Sequence, residues 1–466
     1  MTKENVNCAQ CTEKCCAPKD YFYKSEKGLN ESVVRSISMQ KQEDPWMLNL
    51  RLKAFEFFKT KEMQKWGPDL SKLNLDDICF YLKSVEKQEN SWENVQPNIK
   101  NTFDELGVTQ SEKESLGGLG AQYESEVVYH NLKKEWEELG VIFTDPDTAL
   151  KKHPEIFKKY FGTVVPFDDN KFAALNTAVW SGGSFIYVPK GVKIDVPLQA
   201  YYRINSESLG QFERTLIIAQ EGSCVSYIEG CTAPNHSTAS LHGAVVEIIA
   251  MQGARVKYYT IQNWSKNVYN LVTKRAVAYS NAIVEWIDCN VGSGVTMKYP
   301  AVILKGEGAK AEVFSLSTAC SKNQVQDSGA KAIHLASNTS SKIIAKSISS
   351  NGGRSSFRGV IKVEKDAKNC KSFVQCDALL MDEHSRSDTY PYIDVAQKDA
   401  DVGHEARVSK IADEQVFYLM SRGLKQTEAE RLIVNGFVEP FIKELPMEYA
   451  IEINRLMEME MKGSIG

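Results

Sequence analysis

Between Gly222 and Met381 the chain repeats one short phrase at a nearly constant interval. EGSCVSYIE begins at Glu221, QGARVKYYT at Gln252, SNAIVEWID at Ser280, EGAKAEVFS at Glu307, SNTSSKIIA at Ser337 and KDAKNCKSF at Lys365. Each sets a turn-forming residue before a small residue and a strand-like run. The turn residues are Gly222, Gly253, Asn281, Gly308, Asn338 and Asp366, separated by 31, 28, 27, 30 and 28 positions. Gly, Asn and Asp tolerate the left-handed backbone of a sharp corner. A repeat of this length implies stacked units, none of which buries its apolar face alone.

The phase within each unit is that of a strand. Counting from the corner, the third and fifth positions are Val225 and Tyr227, Val256 and Tyr258, Val284 and Trp286, Ala311 and Val313. The fourth are Ser226, Lys257, Glu285 and Glu312. Apolar and polar residues alternate with period two, one face in and one face out. Helix-period patterns are scarce here, which argues against strand–helix–strand units. A β-sandwich is the alternative, but its turns recur every 8–12 residues. The expected fold is therefore mainly β, a parallel β-helix of ~30-residue coils, about 24 Å tall between the first and last corner at ~4.8 Å per coil.

At 466 residues the chain has room for flanking regions. Three flank the core: a Cys-rich tail over 1–20 and a helical region over 21–160 precede the β-helix of 161–385, and a loop with C-terminal helices over 386–466 follows it. DPWMLNLRLKAFEFF reads as a helix with Asp44 and Pro45 as start signals. SEVVYHNLKKEWEELG, with Val128, Leu132 and Trp136 at spacing four and Gly140 at its end, reads as another. DPDTALKKHPEIFKKYFG continues the helical pattern, and His130 and His153 on these helices read as structural. From Phe172 the sequence turns strand-rich, with a corner at Gly182 and Gly183. DEHSRSDTYPYIDVAQKDADVGHEARV reads as a polar loop after QCDALLM. Helices follow it, with Gly423 as a stop and Pro440 and Pro446 as breaks. They either cover the end of the β-column or offer a groove to a partner.

A net charge of −4 gives no electrostatic case for a nucleic-acid or anionic-membrane partner. No apolar run nears the ~18 residues of a membrane span. The N-terminus has neither the apolar core of a secretory signal nor the composition of a transit peptide, so the chain is expected to be cytoplasmic. Its eleven cysteines are then thiols, ligands or nucleophiles rather than bridges. Cys224, Cys289, Cys320 and Cys370 read as small core residues. In NCAQCTEKCC, Cys8, Cys11, Cys15 and Cys16 have metal-ligand spacing, but no second distant pair completes a zinc ribbon. The balance favours a thiol-rich tail, with a metal site as the alternative.

There is no phosphate-binding loop G-x-x-x-x-G-K-[ST], no H-E-x-x-H and no G-x-S-x-G. What remains is a scatter of soft and polar residues: Cys231 in EGCTAP, Gln262 and Trp264 in IQNW, Arg203, Asn205, Lys274, Cys376 beside Asp377, and His404 with Glu405. Taken singly, each reads as a satisfied residue on a coil.

Taken together they match a family. DPWMLNLRLKA, AQYESEVVYHNLK, NKFAALNTAVWSGGSFIYVPKGV, NSESLGQFERTLII, YIEGCTAP, IQNW, YNLVTKRA, GAKAIHL, QCDALLM, HEARVSKI, FYLMSRG and ELPMEYAIEINRL resemble the SufB/SufD family of the SUF iron–sulfur cluster assembly system, in its SufB-type scaffold branch. The resemblance runs from about Ser25 to Gly466 and leaves out the Cys-rich tail. It implies a right-handed parallel β-helix with helical flanks, and no enzyme activity of the chain's own. It implies a SufC ATPase on the C-terminal helices, SufD or a second SufB-type chain on the β-helix, and sulfur from a cysteine desulfurase system. The cluster would be held transiently. Reduced flavin is associated with such complexes, although no flavin fingerprint is present.

Residue by residue, the resemblance implies that Cys231 accepts sulfur. It implies that Cys376, with Glu405 and neighbouring His404, holds the nascent cluster. Arg203, Asn205, Gln262, Trp264 and Lys274 would line the sulfur path. Elementary chemistry agrees: iron and sulfide favour thiolates, sulfur moves by thiolate attack on a persulfide, and Arg203 and Lys274 near Cys231 would favour its thiolate. Two rivals stand beside this reading: a SufD-like structural subunit without its own cluster site, and a β-helix enzyme acting on polysaccharide. The abundant thiols and missing signal peptide argue against the second.

Overall fold

The computed structural model describes residues 21–105, 116–234, 236–445, 449–450, 453 and 455–456. Cys8, Cys11, Cys15, Cys16 and Pro446 lie outside the described residues. From Leu198 to Lys410 successive strands alternate between two facing sheets, so the chain winds as a β-solenoid of about eight turns. One sheet stacks Leu198–Arg203, Cys224–Thr232, Arg255–Trp264, Ile283–Gly292, Lys310–Ala319, Ser340–Ser349, Lys371–Leu380 and Asp401–Lys410, all parallel. The other stacks Arg214–Ala219, Val245–Ala250, Val268–Ala278, Val295–Lys298 with Ala301–Leu304, Val325–His334, Arg354–Val363 and Arg386–Val395. At the N-terminal end the column is closed by antiparallel additions, Glu126–Leu132 on one sheet and Ile142–Thr144 on the other.

The corners are where the repeat put them, with one exception. Gly222, Gly253, Asn281, Gly308 and Asn338 all have positive φ, between 56° and 70°. The sixth is Asn369, at φ 54°, and not Asp366. Backbone pairing decides this: Ser340 stands opposite Lys371, so the last interval is that from Asn338 to Asn369. Asn369 Nδ2 donates to Asn338 Oδ1 at 2.7 Å, and Asn338 Nδ2 donates to Glu307 Oε1 at 2.8 Å, a polar ladder along the corner. The expected inward residues Val225, Tyr227, Val256, Tyr258, Val284, Trp286, Ala311 and Val313 are all buried.

Three segments differ from their sequence reading. Ser125–Gly140 is mostly a strand, Glu126–Leu132, followed by a short helix, Lys134–Glu138. Apolar spacing of four fits period two as well as a helix, and here pairing with Gly118–Tyr123 decides. His130 is thus on a strand, its ring 4.6 Å from that of Phe143. The segment after Asn170 is a helix, Lys171–Val179, because the Asn170 side chain accepts from the N–H groups of Phe172 and Ala173. The polar loop is the last coil, Arg386–Val395 and Asp401–Lys410. It reads as polar because no further coil among the described residues covers it, and an uncovered edge is typically charged.

Helices cover both outer faces. Asp413–Ser421 and Gln426–Ile442 lay Val416, Val434, Val438 and Phe441 on Ile287, Leu316, Ile348 and Leu379 of the first sheet. They cover its side and leave the end of the column open. The longer helix runs on through Pro440. Glu31–Lys41, Pro45–Thr60 and Lys171–Val179 pack Val34, Phe55 and Ala178 over Leu241, Leu271 and Met297 of the second sheet. The docking is pinned by buried charge. Arg214 Nη2 meets Glu247 Oε1 at 2.5 Å, and Glu247 accepts the N–H groups of Gly162, Val164 and Val165.

Candidate functional site

Alternation along the first sheet puts a polar file inside the column. Glu229 stands opposite Thr260, Thr260 opposite Asp288, Asp288 opposite Ser315, Ser315 opposite Ala345, and Ala345 opposite Cys376. Two residues further along each strand runs a second file: Cys231, Gln262, Asn290, Ser317, Ser347 and Ala378. Paired residues in parallel strands share a face. The two cysteines therefore belong to one interior, five coil steps apart, or about 24 Å at ~4.8 Å per step.

The Cys231 end is a buried polar network. Cys231 Sγ donates to Glu229 Oε1 at 3.7 Å, and Gln262 Nε2 lies 4.0 Å from the same sulfur. Gln262 Oε1 accepts from Asn270 Nδ2 at 2.7 Å and from Lys298 Nζ at 3.2 Å. Asn270 Oδ1 meets His242 Nδ1 at 2.7 Å, and His242 Nε2 lies 2.7 Å from Glu213. Lys274 and Lys298 share Asp288 Oδ1, at 3.2 and 3.3 Å. The Tyr258 hydroxyl donates to Glu229, and Tyr258 packs on Tyr227, whose hydroxyl joins those of Tyr202 and Ser184. Trp264 packs on His242, ring centroids 4.7 Å apart.

The charges here respond to burial. Burial pushes the Asp288 carboxyl up, but Lys274 and Lys298 outweigh it and hold it below the ordinary range. Burial and the neighbouring Lys274 lower Lys298 to about 8. The Cys231 thiol goes the other way from the sequence expectation. Burial first, then Glu229 and Glu213, push it well above the ordinary range, and Lys274 with Lys298 only partly offset them. Arg203 lies on the opposite face of its strand from inward Tyr202, and Asn205 follows the end of that strand. Arg203 Nη1 donates to Thr232 Oγ1 at 3.1 Å and Asn205 Nδ2 to the Tyr123 hydroxyl at 2.6 Å.

At the other end, Cys376 is buried, its Sγ 3.7 Å from Thr389 Oγ1 of the last coil, and burial raises it to about 11. His404 stands opposite Val374 and so shares the Cys376 face; its Nε2 is buried without a hydrogen-bond partner. Glu405 stands opposite Gln375, on the other face, with its carboxylate on the Arg407 guanidinium. Among the described residues no three His, Cys, Asp or Glu side chains converge as a metal site. Glu229, Asp288, Asn270, His242 and Lys298 were not singled out from sequence. Glu229 and Asp288 each stand seven residues after a corner, as do Thr260 and Ser315, and that shared phase was the available signal.

Residues 202–437 match the model described as "SUF system FeS cluster assembly, SufBD core domain", and residues 123–200 that of the "SufBD protein N-terminal region". The chain is 59% identical over 445 residues to an "Iron-sulfur cluster assembly SufBD family protein" of Staphylococcus aureus (strain MRSA252), covering 96% of each chain. It is 58% identical over the same span to a protein of that description from Staphylococcus haemolyticus (strain JCSC1435), again with 96% of each covered. No helix among the described residues is long and apolar enough to cross a membrane.

Proposed function

This chain belongs to the SufBD family of SUF-system iron–sulfur cluster assembly proteins, and from that premise we propose that it is the SufB-type scaffold subunit. The observation that carries the reading is the interior polar file that begins beside Cys231 and ends at Cys376 on the penultimate coil. Cys231 accepts persulfide sulfur from a cysteine desulfurase system. Gln262, Trp264 and Lys274 keep the interior next to it polar and closed, while Arg203 and Asn205 sit on the wall outside. The iron–sulfur cluster is cargo. Cys376 is its first thiolate ligand, and His404 and Glu405 supply harder, more easily released ligands from the neighbouring strand.

The partners follow from the exposed surfaces. The last coil presents an unpaired edge with Tyr390, Tyr392 and Ile393 in solvent, which suits addition of a SufD subunit or a second copy of this chain. A ligand set completed across that edge accords with the incomplete set on this chain. The C-terminal helices enclose an apolar groove of about 490 Å³ between Tyr418, Leu419, Leu432 and Ile433, which suits the SufC ATPase. Hydrolysis of ATP then belongs to that partner, and this chain is not an enzyme. Reduced flavin, where it takes part, is supplied through the complex, and the setting is cytoplasmic.

Orientation of Glu405 away from Cys376 favours the second reading, a SufD-like subunit without its own cluster. Anaerobic reconstitution with ferrous iron and a persulfide donor decides between them. The scaffold role predicts cluster absorbance that disappears in Cys376→Ala. The SufD-like role predicts the same spectrum for both proteins.

A further inference from the structure

Cys231 is placed as a nucleophile but held as a thiol. It is fully buried, and burial together with Glu229 and Glu213 outweighs Lys274 and Lys298. The thiolate, not the thiol, attacks sulfane sulfur. Something must therefore take the Sγ proton as attack proceeds. The carboxylate hydrogen-bonded to that sulfur is Glu229, whose Oε1 accepts from Sγ at 3.7 Å. Two residues apart on one strand, the pair share the inward face. The Tyr258 hydroxyl donates to Glu229 Oε2. Burial and the Glu229 charge push that phenol well above its ordinary range, so it stays a donor and fixes the carboxylate. Across the sulfur, Gln262 is held by Asn270 and Lys298 so that its amide N–H faces Sγ.

We infer that Glu229 is the proton acceptor that makes Cys231 a nucleophile during sulfur capture. The inference rests on the reading of Cys231 as the sulfur acceptor. The Cys231 thiol gives its proton to the Glu229 carboxylate, and the thiolate attacks the outer sulfur of a donor persulfide, R–S–SH. The new S–S bond forms at Cys231 as the donor's S–S bond breaks. The donor leaves as a thiolate and takes the proton back from Glu229. The sum is R–S–SH plus Cys231–SH giving R–SH plus Cys231–S–SH, with no oxidant or reductant consumed. The other charges facing the thiol are the Glu213–His242 pair and the Lys274–Asp288–Lys298 cluster. They set the field but do not touch Sγ.

Glu229→Gln separates the two things a carboxylate can do here. If Glu229 only adds negative charge, its removal lowers the thiol's pKa and sulfur capture speeds up. If it takes the proton, capture slows although the thiol ionises more easily. In the full chain, persulfide formation at Cys231 from glutathione persulfide is followed by mass spectrometry. The pH profile of Cys231 alkylation by iodoacetamide is measured alongside. Capture in Glu229→Gln is expected to fall about 100-fold while the alkylation midpoint moves to lower pH. Glu229→Asp, a milder change that keeps a carboxylate but shortens its reach, is expected to fall about tenfold. Capture at the normal rate or faster in either variant overturns the inference. Cys231→Ala is the control: if total persulfide on the chain is undiminished in it, the acceptor reading falls and this inference with it. If labelling is lost there yet normal in Glu229→Gln, only the role of Glu229 falls.

Discussion

Cys376 stands directly opposite Ala345, which puts it in the inward file that runs from Ala200 through Glu229 to Ala406. The upper rungs, Glu229, Thr260, Asp288 and Ser315, are polar, and Ala345 is the break before the thiol. A solenoid interior is ordinarily a stack of apolar side chains. Here Lys274, Lys298 and Asp288 are all fully buried, at a desolvation cost that apolar residues of similar volume would avoid. Retaining them makes sense if anionic sulfur species occupy that interior.

The faces of Cys376, His404 and Glu405 order their importance for a cluster built on one chain. Cys376→Ala is expected to abolish cluster absorbance after anaerobic reconstitution while subunit association by size-exclusion chromatography is unchanged. His404 shares the Cys376 face and Glu405 does not. His404→Ala should therefore lower the yield at least as much as Glu405→Ala. A larger loss in Glu405→Ala would show that the last strand turns over when the cluster forms.

Glu247 carries the N-terminal docking. It pairs with buried Arg214 and receives three backbone N–H groups from the segment Gly162–Val165. Glu247→Gln leaves the guanidinium buried without its counter-charge, a loss of about 3–5 kcal/mol. The denaturation midpoint in urea should fall accordingly, with early proteolysis of the helices that precede Gly182. An unchanged midpoint would mean that water reaches Arg214.

Gly292 ends its strand at φ 91°, where an added Cβ would sit 1.9 Å from the Trp264 carbonyl oxygen. Gly292→Ala must move that backbone and with it Trp264, next to His242. The expected cost is roughly 3 kcal/mol, read as a drop in Tm. Retention of the wild-type Tm would show that the coil can shift at this point.

Much of this is legible in the sequence. Period two and the corner spacing gave the solenoid and its inward residues because each coil repeats the same steric problem. The sixth corner was misread because Asp366 and Asn369 are both turn residues three apart, and only pairing of Ser340 with Lys371 separates them. With Asn369 as the corner, Cys376 falls seven residues on, in phase with Glu229 and Asp288. The interior file could then have been counted from sequence. The last coil was missed for a different reason: exposed on nearly all sides, it carries no apolar alternation to read. The ionisation of Cys231 is beyond sequence because it is set by burial, by Glu229 and by Glu213, which is distant in sequence from the coil that carries Cys231.

His334 should give the fold an acid-sensitive component. Both ring nitrogens bond hydroxyls, Thr339 at 2.8 Å and Ser341 at 3.0 Å, and burial depresses the imidazole to about 4. Unfolded, it titrates near ~6.5. Between those values the unfolded chain binds the extra proton, so stability rises with pH. The contribution is full above about 6.5 and is lost as pH falls towards 4, roughly 3 kcal/mol in all. His334→Asn should flatten the pH dependence of the urea midpoint between those limits by about one proton. An equal slope in both proteins would assign the acid sensitivity elsewhere, His130 being the next candidate, since burial lowers it to about 4 as well.

The open end of the column makes the last prediction. Tyr392 is 59% and Ile393 45% exposed on a strand whose outer edge pairs with no strand among the described residues. Such an edge invites pairing unless charge or proline blunts it. Pro391 removes one N–H donor, but the neighbouring tyrosines and Ile393 are the opposite of a protective surface. A partner sheet would pair the edge and bury these side chains, on the coil whose Thr389 touches Cys376. Ile393→Lys combined with Tyr392→Lys puts charge on that surface and should weaken subunit association at least tenfold, since each buried large apolar side chain is worth about 1.5–3 kcal/mol. Because both residues are exposed in the single chain, its Tm should change little. Sedimentation of the chain alone, and with the partner subunit proposed above, reads the association. Undiminished association in the variant would place the subunit contact away from the last coil.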